Sequence, residues 1–182
     1  KDKLNDYKGA IEDYSKALTI YPKYRICYSK SGFAKWRLQD FKGAILDLTK
    51  AIEIDSNDWI DFYMRGRAQC GLENYHEAIK DFTSTLKINP NYVECISQRG
   101  ALRNQLGDLE GALEDYNLSI SINPENKEIL YFRACLYLNS NKFEKGISDL
   151  ESIFRIDPSY EDVSQLLKKY KSDIQKNYLK KL

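Results

Sequence analysis

The sequence is poor in the residues with which enzymes usually perform acid–base and metal chemistry. It contains one histidine, His76, and four cysteines, none of which form a CxxC pair: Cys27, Cys70, Cys95 and Cys135. General acid–base catalysis most often uses a positioned histidine, and zinc sites usually need closely spaced cysteines. A glycine-rich phosphate loop, a GxSxG turn and an HExxH helix are also missing from the sequence. We therefore expect no enzymatic activity, no catalytic residue, no metal site and no cofactor.

An excess of charge of one sign is also missing. The 28 Lys and Arg residues face 27 Asp and Glu residues, which leaves a net charge of +1 and no strong attraction for nucleic acid. No run of about 18 apolar residues is available to span a bilayer. Scattered cysteines favour a reducing, cytoplasmic compartment. We therefore expect a protein or peptide partner, with nucleic acid unlikely and neither a membrane nor a small-molecule substrate.

The four prolines are few but regularly spaced. Pro22, Pro90, Pro124 and Pro158 are separated by 68, 34 and 34 residues, and Ser56 fills the vacant position. The same step of 34 residues relates four further columns: Gly32, Gly66, Gly100 and Ala134; Ala10, Ala44, Ala78, Ala112 and Gly146; Tyr14, Leu48, Phe82, Tyr116 and Leu150; and Ala17, Ala51, Thr85, Ser119 and Ile153. A fixed period of this length predicts stacked copies of one supersecondary unit.

These columns resemble the tetratricopeptide repeat, a helical hairpin with a small residue in the first helix, Ala-x3-aromatic in the second helix and a closing proline. The resemblance extends from about Asp6 to Tyr160. It implies an all-α fold, a right-handed superhelical solenoid of antiparallel helix pairs. The small columns would let paired helices approach closely, so we expect any larger side chain at Gly66 to collide with its neighbour.

The period divides the chain into six segments. Residues 1–22 supply the second helix of an incomplete repeat, so we expect the sequence, which lacks an initial Met, to be a piece of a longer protein. The full repeats are 25–58, 59–92, 93–126 and 127–160. Residues 161–182 carry an amphipathic stripe, which predicts a capping helix over the last repeat. The stripe consists of Val163, Leu166, Leu167, Tyr170, Ile174 and Tyr178.

Charged residues follow the same period. The aspartates are Asp13, Asp47, Asp81, Asp115 and Asp149, and the arginines are Arg65, Arg99 and Arg133, with Ser31 in the first repeat. A helical wheel directs the arginines toward the second helices, where an unpaired charge would be costly. We predict a ladder of structural ion pairs between successive repeats: Asp47–Arg65, Asp81–Arg99 and Asp115–Arg133. An acid–base role is disfavoured because active sites do not recur in every hairpin.

The hollow face lined by the first helices is the remaining candidate for function. In the family that the sequence resembles, this face commonly accepts a peptide, which implies a non-catalytic protein–protein interaction scaffold. Aromatic residues beside arginines are typical of binding hot spots. The predicted groove contains Phe33, Trp36, Arg37, Tyr63, Arg67, Asn104 and Tyr131. We expect the first five of these to receive a segment with apolar and acidic residues.

Several alternatives remain open at this point. Phe33 and Trp36 can instead pack against further N-terminal repeats. A nucleic-acid-binding repeat protein would use Arg37, Arg67 and Arg103 with the C-terminal lysines, which are Lys168, Lys169, Lys171, Lys176, Lys180 and Lys181. The chain can also be an accessory domain of a larger enzyme or assembly factor. The terminal-carboxylate clamp of chaperone adaptors and the asparagine ladder of sugar-transferring relatives are not matched, since Met64 and Gln98 stand at key positions.

Overall fold

A computed structural model describes the backbone of residues 6–160 and 162–179 and the side chains of residues 6–160 and 162–172. Regular structure in these ranges is entirely helical. The helices are α1 (Tyr7–Ile20), α2 (Arg25–Arg37), α3 (Phe41–Ile54), α4 (Trp59–Gly71), α5 (Tyr75–Ile88), α6 (Val93–Gln105), α7 (Leu109–Ile122), α8 (Lys127–Asn139), α9 (Phe143–Ile156) and α10 (Val163–Leu179). The predicted all-α class is confirmed. Among the described residues, none of these helices has the length and apolarity needed to cross a membrane.

From α2 to α9, inclusive, the helices form hairpins of constant size. In each hairpin a first helix of 13 residues is followed by a second helix of 14. The turn of each hairpin contains one residue with positive φ, and these residues recur every 34 positions: Gln39, Glu73, Gly107 and Asn141. In the first of these turns, the Asp40 N–H donates to the carbonyl of Lys35 at 2.9 Å. This bond closes the first helix in the manner of a Schellman motif.

Polar caps start most of the second helices. Asp40 accepts a hydrogen bond from the backbone N–H of Gly43 at 3.0 Å. A Cβ atom at position 43 would lie only 2.1 Å from Oδ2 of that aspartate, so glycine leaves room for the capping side chain. The same arrangement recurs at Asp6 with Gly9 and at Asp108 with Gly111.

The contacts divide the chain into two units, and the first of them is Lys1–Cys95. In this unit α2 packs against α1, α3 and α4, and α4 packs against α3 and α5. A Cβ atom at Gly66 would lie 2.7 Å from Cε1 of Phe82, and one at Gly32 would lie 2.6 Å from Cγ of Leu48. The predicted collision at Gly66 is therefore confirmed, and it shows why the glycine column permits close packing inside each hairpin.

The second unit is Ile96–Leu182, in which α7 packs against α8 and α9 packs against both α8 and α10. In its last hairpin, α8 and α9 also pack closely, but here the glycine lies on the second helix instead of the first. Ala134 occupies the glycine column, and Gly146 occupies the alanine column. A Cβ atom at Gly146 would lie 2.7 Å from Cγ of Leu138 and 3.1 Å from the carbonyl of Ala134. One of the two residues at positions 134 and 146 must therefore be glycine.

Helix α10 packs on the last hairpin through the predicted apolar stripe. Val163 and Leu167 are buried in one cluster with Leu150 and Ile153 of α9, and Leu166 and Tyr170 pack against that cluster. This packing supports the interpretation of α10 as a capping helix. The side chains of Ile174 and Tyr178 from the stripe lie outside the described residues, as do those of Lys176, Lys180 and Lys181.

Candidate functional site

The periodic arginines and aspartates pair within each hairpin. Arg65 donates from Nε and Nη2 to the two carboxylate oxygens of Asp81, at 2.9 and 2.7 Å. The same bidentate geometry joins Arg99 to Asp115 and Arg133 to Asp149. The aspartates of these pairs are buried, so breaking a pair would leave a charge without compensation. This geometry supports a structural role for these side chains, since both oxygens of each carboxylate accept a hydrogen bond from a guanidinium group.

The register predicted for these pairs is wrong. The predicted pairings were Asp47–Arg65, Asp81–Arg99 and Asp115–Arg133, whereas the observed partner of each arginine lies 16 residues later in the same hairpin. The glycine column beside each arginine brings its helix against the second helix of its own hairpin. From the preceding hairpin, Arg65 meets the hydroxyl of Thr49 at 3.1 Å. Asp47 instead binds Lys35 and the hydroxyl of Ser31, both at 2.6 Å.

A cluster of aromatic and arginine side chains lies in the first unit, mainly on the first helices α2 and α4. The rings of Phe33 and Trp36 stack with centroids 6.3 Å apart. The guanidinium of Arg67 on α4 lies 4.1 Å from the ring centroid of Trp36 on α2 and 5.7 Å from that of Tyr63. The aromatic–arginine cluster, as we define it, comprises Tyr7, Phe33, Trp36, Arg37, Tyr63, Arg67 and Tyr92. It brings together all five groove residues predicted in this unit.

Two members of the cluster face α1. Tyr7 meets the ring of Phe33 edge-on at 6.4 Å, and the guanidinium of Arg37 lies 5.2 Å from the Tyr7 ring centroid. Phe33 keeps 39% of its surface exposed despite these contacts. Trp36 contacts Arg67 on the other side of α2. Packing of Phe33 and Trp36 against further N-terminal repeats stays an alternative prediction.

Tyr63 is the buried member of the cluster, with only 4% of its surface exposed. Its hydroxyl donates to Oε1 of Glu94 at 2.7 Å, and the hydroxyl of Tyr92 donates to Oε2 of the same carboxylate at 3.3 Å. Burial raises the pKa of Tyr63, and the hydrogen bond to Glu94 raises it further, so the hydroxyl stays protonated. Tyr92 also packs on Trp59, with ring centroids 4.7 Å apart. Tyr92 lies in the loop before α6, so the helical pattern of the sequence does not predict its contact with Tyr63.

The cluster offers hydrogen-bond donors that no other side chain uses. Within the described part of the chain, the guanidinium groups of Arg37 and Arg67 and the indole N–H of Trp36 have no hydrogen-bond or ion-pair partner. The arginines that hold carboxylates are Arg25, Arg65, Arg99, Arg103 and Arg133. Arg103, which the nucleic-acid alternative requires, is thus already engaged. The cluster is therefore a surface rich in free donors and aromatic rings.

A buried polar network joins α2 to α4 beside the cluster. Asp61 is fully buried and accepts hydrogen bonds from Nη1 of Arg25, at 2.7 Å, and from the hydroxyl of Ser29. Arg25 also binds Asp58 at 2.9 Å. Burial raises the pKa of Asp61, while the bonds from Ser29 and Arg25 oppose that rise. This network holds α2 and α4, the helices that carry Trp36 and Arg67, side by side. It was not predicted from the sequence.

The other two predicted groove residues lie in the second unit. Asn104 is exposed on α6. Tyr131 on α8 is half-buried and meets the ring of Tyr160 edge-on at 6.1 Å. Their role in binding stays a prediction.

The histidine and the four cysteines are the residues that the sequence offers for chemistry. His76 is exposed near the start of α5. All four cysteines are free thiols, and burial raises the pKa of Cys70 to about 11, which keeps it in the unreactive thiol form. Across residues 6–160 and 162–172, no three potential metal ligands come together.

A separate surface pocket lies at the loop between α1 and α2. Its described lining consists of Ile20, Tyr21, Pro22, Lys23 and Tyr24. Ile20 and Tyr21 are 70% and 65% exposed. Ligand sites usually combine an apolar lining with several positioned polar groups, and this lining offers one charged side chain. The aromatic–arginine cluster is therefore the stronger candidate.

Comparison with known proteins identifies the repeat. The model of the family described as "Tetratricopeptide repeat" matches residues 1–24, 24–58, 94–126 and 127–160. The range between the second and third matches contains the hairpin α4–α5, which has the same helix lengths as the others. A search of curated protein sequences found no match.

Solved structures share the fold at low sequence identity. MamA is 21% identical with a TM-score of 0.80, over 84% of this chain and 90% of that chain. YrrB, described as a TPR protein with an unusual peptide-binding site, is 23% identical with a TM-score of 0.79, over 91% and 85% of the two chains. The C-terminal part of a TPR repeat-containing protein from Cytophaga hutchinsonii is 15% identical with a TM-score of 0.81, over 96% and 69%. These likenesses show the fold alone.

Proposed function

Because this chain belongs to the tetratricopeptide repeat family, we propose that it is a protein-interaction scaffold that binds a peptide segment of a partner at the aromatic–arginine cluster. The observation that carries the proposal is the stack of Arg67 on Trp36, with free donors on both side chains. Trp, Tyr and Arg are the residues most enriched among binding hot spots. A partner segment with apolar and acidic residues would complement this surface.

The cluster is organised before any partner arrives. Phe33, Trp36 and Arg67 are held in contact by ring stacking and by the network around Asp61, which joins their two helices. A site whose side chains are already ordered loses less conformational entropy on binding. YrrB, a structural neighbour, is described as having a peptide-binding site, which supports the same use of the fold here. Asn104 and Tyr131 are proposed as further contacts with the partner protein.

We also propose that the scaffold is non-catalytic and acts in the cytoplasm. The exposed position of His76 and the raised pKa of Cys70, which disfavours its thiolate, support the non-catalytic part of this proposal. The free thiols are compatible with a reducing compartment.

Selection from a displayed library of random peptides tests the proposal. The peptides enriched on the wild-type protein are synthesised, and their affinities are measured by calorimetric titration. Trp36→Ala should weaken binding by about 2 kcal/mol, or roughly thirtyfold, because it removes the centre of the cluster. The matched control is Phe154→Ala, which removes a ring that is 40% exposed on α9, in the other unit.

The two variants separate the possible outcomes. Normal affinity in Phe154→Ala together with lost affinity in Trp36→Ala supports the proposal, provided that both variants keep the helical circular dichroism of the wild type. Equal affinity in the wild type and Trp36→Ala would place peptide binding elsewhere on the molecule. Failure of every peptide to enrich would contradict peptide binding itself.

A further inference from the structure

Within the proposed site, we infer that Arg67 and the indole N–H of Trp36 form a receptor for a side-chain carboxylate. The site would thereby select a partner segment that carries Asp or Glu beside an apolar residue. This inference rests on the proposed function, and it assigns specificity to Arg67 and most of the affinity to the aromatic rings.

The free polar groups of Arg67 and Trp36 determine which ligand they can bind. Arg67 and Trp36 offer only N–H donors, and both side chains lack hydrogen-bond partners among the described residues. A ligand that satisfies both must be an acceptor. A guanidinium binds a planar carboxylate through two parallel hydrogen bonds, which is stronger and more directional than a bond to a neutral acceptor.

The cluster does not supply this carboxylate itself. Glu94, the acidic residue beside the cluster, receives the hydroxyls of Tyr63 and Tyr92. Each of its two carboxylate oxygens therefore accepts one hydrogen bond from a tyrosine hydroxyl. Arg67 is instead held by the ring faces of Trp36 and Tyr63, at 4.1 and 5.7 Å. Ring contact fixes the orientation of a guanidinium while leaving its edge N–H groups open.

The chain segment that contains Trp36 carries an excess of positive charge. Between Tyr14 and Gln39 the chain contains no Asp or Glu but six cationic residues: Lys16, Lys23, Arg25, Lys30, Lys35 and Arg37. Lys16, Arg25 and Lys35 pair with aspartates. Lys30 and Arg37 are exposed on α2 and form no ion pair among the described residues. An acidic segment approaching Trp36 would therefore be attracted by Lys30, Arg37 and Arg67 together.

A single arginine variant tests the receptor. Arg67→Gln removes the charge and the paired donors of the guanidinium and leaves a shorter, neutral polar side chain. The control is Arg155→Gln, because Arg155 is exposed on α9 and bonds only to the hydroxyl of Ser152 among the described residues. Both substitutions change the net charge equally. Arg67→Gln should weaken binding of the selected acidic peptides about tenfold, and Arg155→Gln should leave it unchanged.

Peptide variants complete the test in a double-mutant cycle between Arg67 and the acidic residue of the peptide. In each selected peptide, the acidic residue next to the apolar anchor is replaced by its amide, Asp by Asn or Glu by Gln. The amide peptide should lose about tenfold on the wild-type protein and almost nothing on Arg67→Gln, because the two changes remove the same ion pair. A merely structural role of Arg67 would give equal losses on both proteins.

The outcomes distinguish this inference from the proposed function. Peptides that depend on Trp36 but show no enrichment of Asp or Glu would overturn the carboxylate receptor and leave the binding site intact. Losses that simply add in the cycle would also overturn it. Displacement of the peptides by single-stranded DNA at equal concentration would overturn it in favour of a phosphate ligand. Peptides indifferent to Trp36→Ala would instead contradict the proposed function.

Discussion

Truncating Arg65 should destabilise the protein far more than removing an ordinary surface charge. Arg65 forms two hydrogen bonds to Asp81, at 2.9 and 2.7 Å, and the side chains of the two residues are 21% and 7% exposed. Removing one partner of a buried pair costs about 3–5 kcal/mol, and the exposed fifth of Arg65 reduces this to about 2–3 kcal/mol for Arg65→Met. Most of that cost is the desolvated carboxylate left behind in Asp81.

A double-mutant cycle isolates the pair. Urea unfolding followed by circular dichroism gives the unfolding free energy of Arg65→Met, Asp81→Asn and the double variant. We expect a coupling of at least about 1.5 kcal/mol, since the double variant removes both charges together. The control is the surface pair Lys80–Glu77, whose side chains are 70% and 55% exposed, and whose coupling should stay below about 0.5 kcal/mol.

The same assay can refute the observed register. A cycle between Arg65 and Asp47 should give a coupling close to that of the surface control, because Asp47 binds Lys35 and Ser31. Coupling of Arg65 to Asp47 that equals or exceeds its coupling to Asp81 would contradict pairing within the hairpin. That result would support the originally predicted ion pairs between successive repeats.

Two further predictions concern packing and pH. Gly66→Ala should lower the unfolding free energy by about 1–3 kcal/mol in urea, because its Cβ atom would lie 2.7 Å from the buried ring of Phe82; unchanged stability would show that the hairpin can open at no cost. Hydrogen bonds from Lys127 and Ser159 lower the pKa of Asp157 from 3.8 to about 2, so its contribution to stability is present above the unfolded value and is lost as pH falls toward about 2. The wild type should therefore lose more stability across this acidic window than Asp157→Asn, and parallel acid curves would contradict the assignment.

The repeat and its hairpins could be predicted from the sequence because close helix packing requires small residues at fixed positions. The column of Gly32 and Gly66 marks where a Cβ atom would strike the opposite helix, so its spacing reports the length of the structural unit directly. The exchange of glycine and alanine at positions 134 and 146 follows the same rule. Both features depend on local geometry that every repeat shares.

The partners of individual side chains could not be predicted from the same pattern. A helical wheel directs Arg65 toward the second helices, but it does not say which of two neighbouring helices is closer. Tyr63 lies in an outward column, yet it is buried because Tyr92 from an irregular loop packs against it at 4.8 Å. Asp61 occupies the position at which the other repeats have Cys27, Cys95 and Ile129, so no recurring column predicted its polar network. Contacts made by loops or by one repeat alone leave no periodic signal.

Tryptophan fluorescence tests the central claim most directly, since the chain has only two tryptophans, Trp36 and Trp59. In Trp59→Phe the emission reports on Trp36 alone, before and after saturation with a selected peptide. If the peptide covers the aromatic–arginine cluster, the emission should shift to shorter wavelength and quenching by acrylamide should fall. A saturated complex in which Trp36 emits at the same wavelength and is quenched as readily as in the free protein would contradict the account.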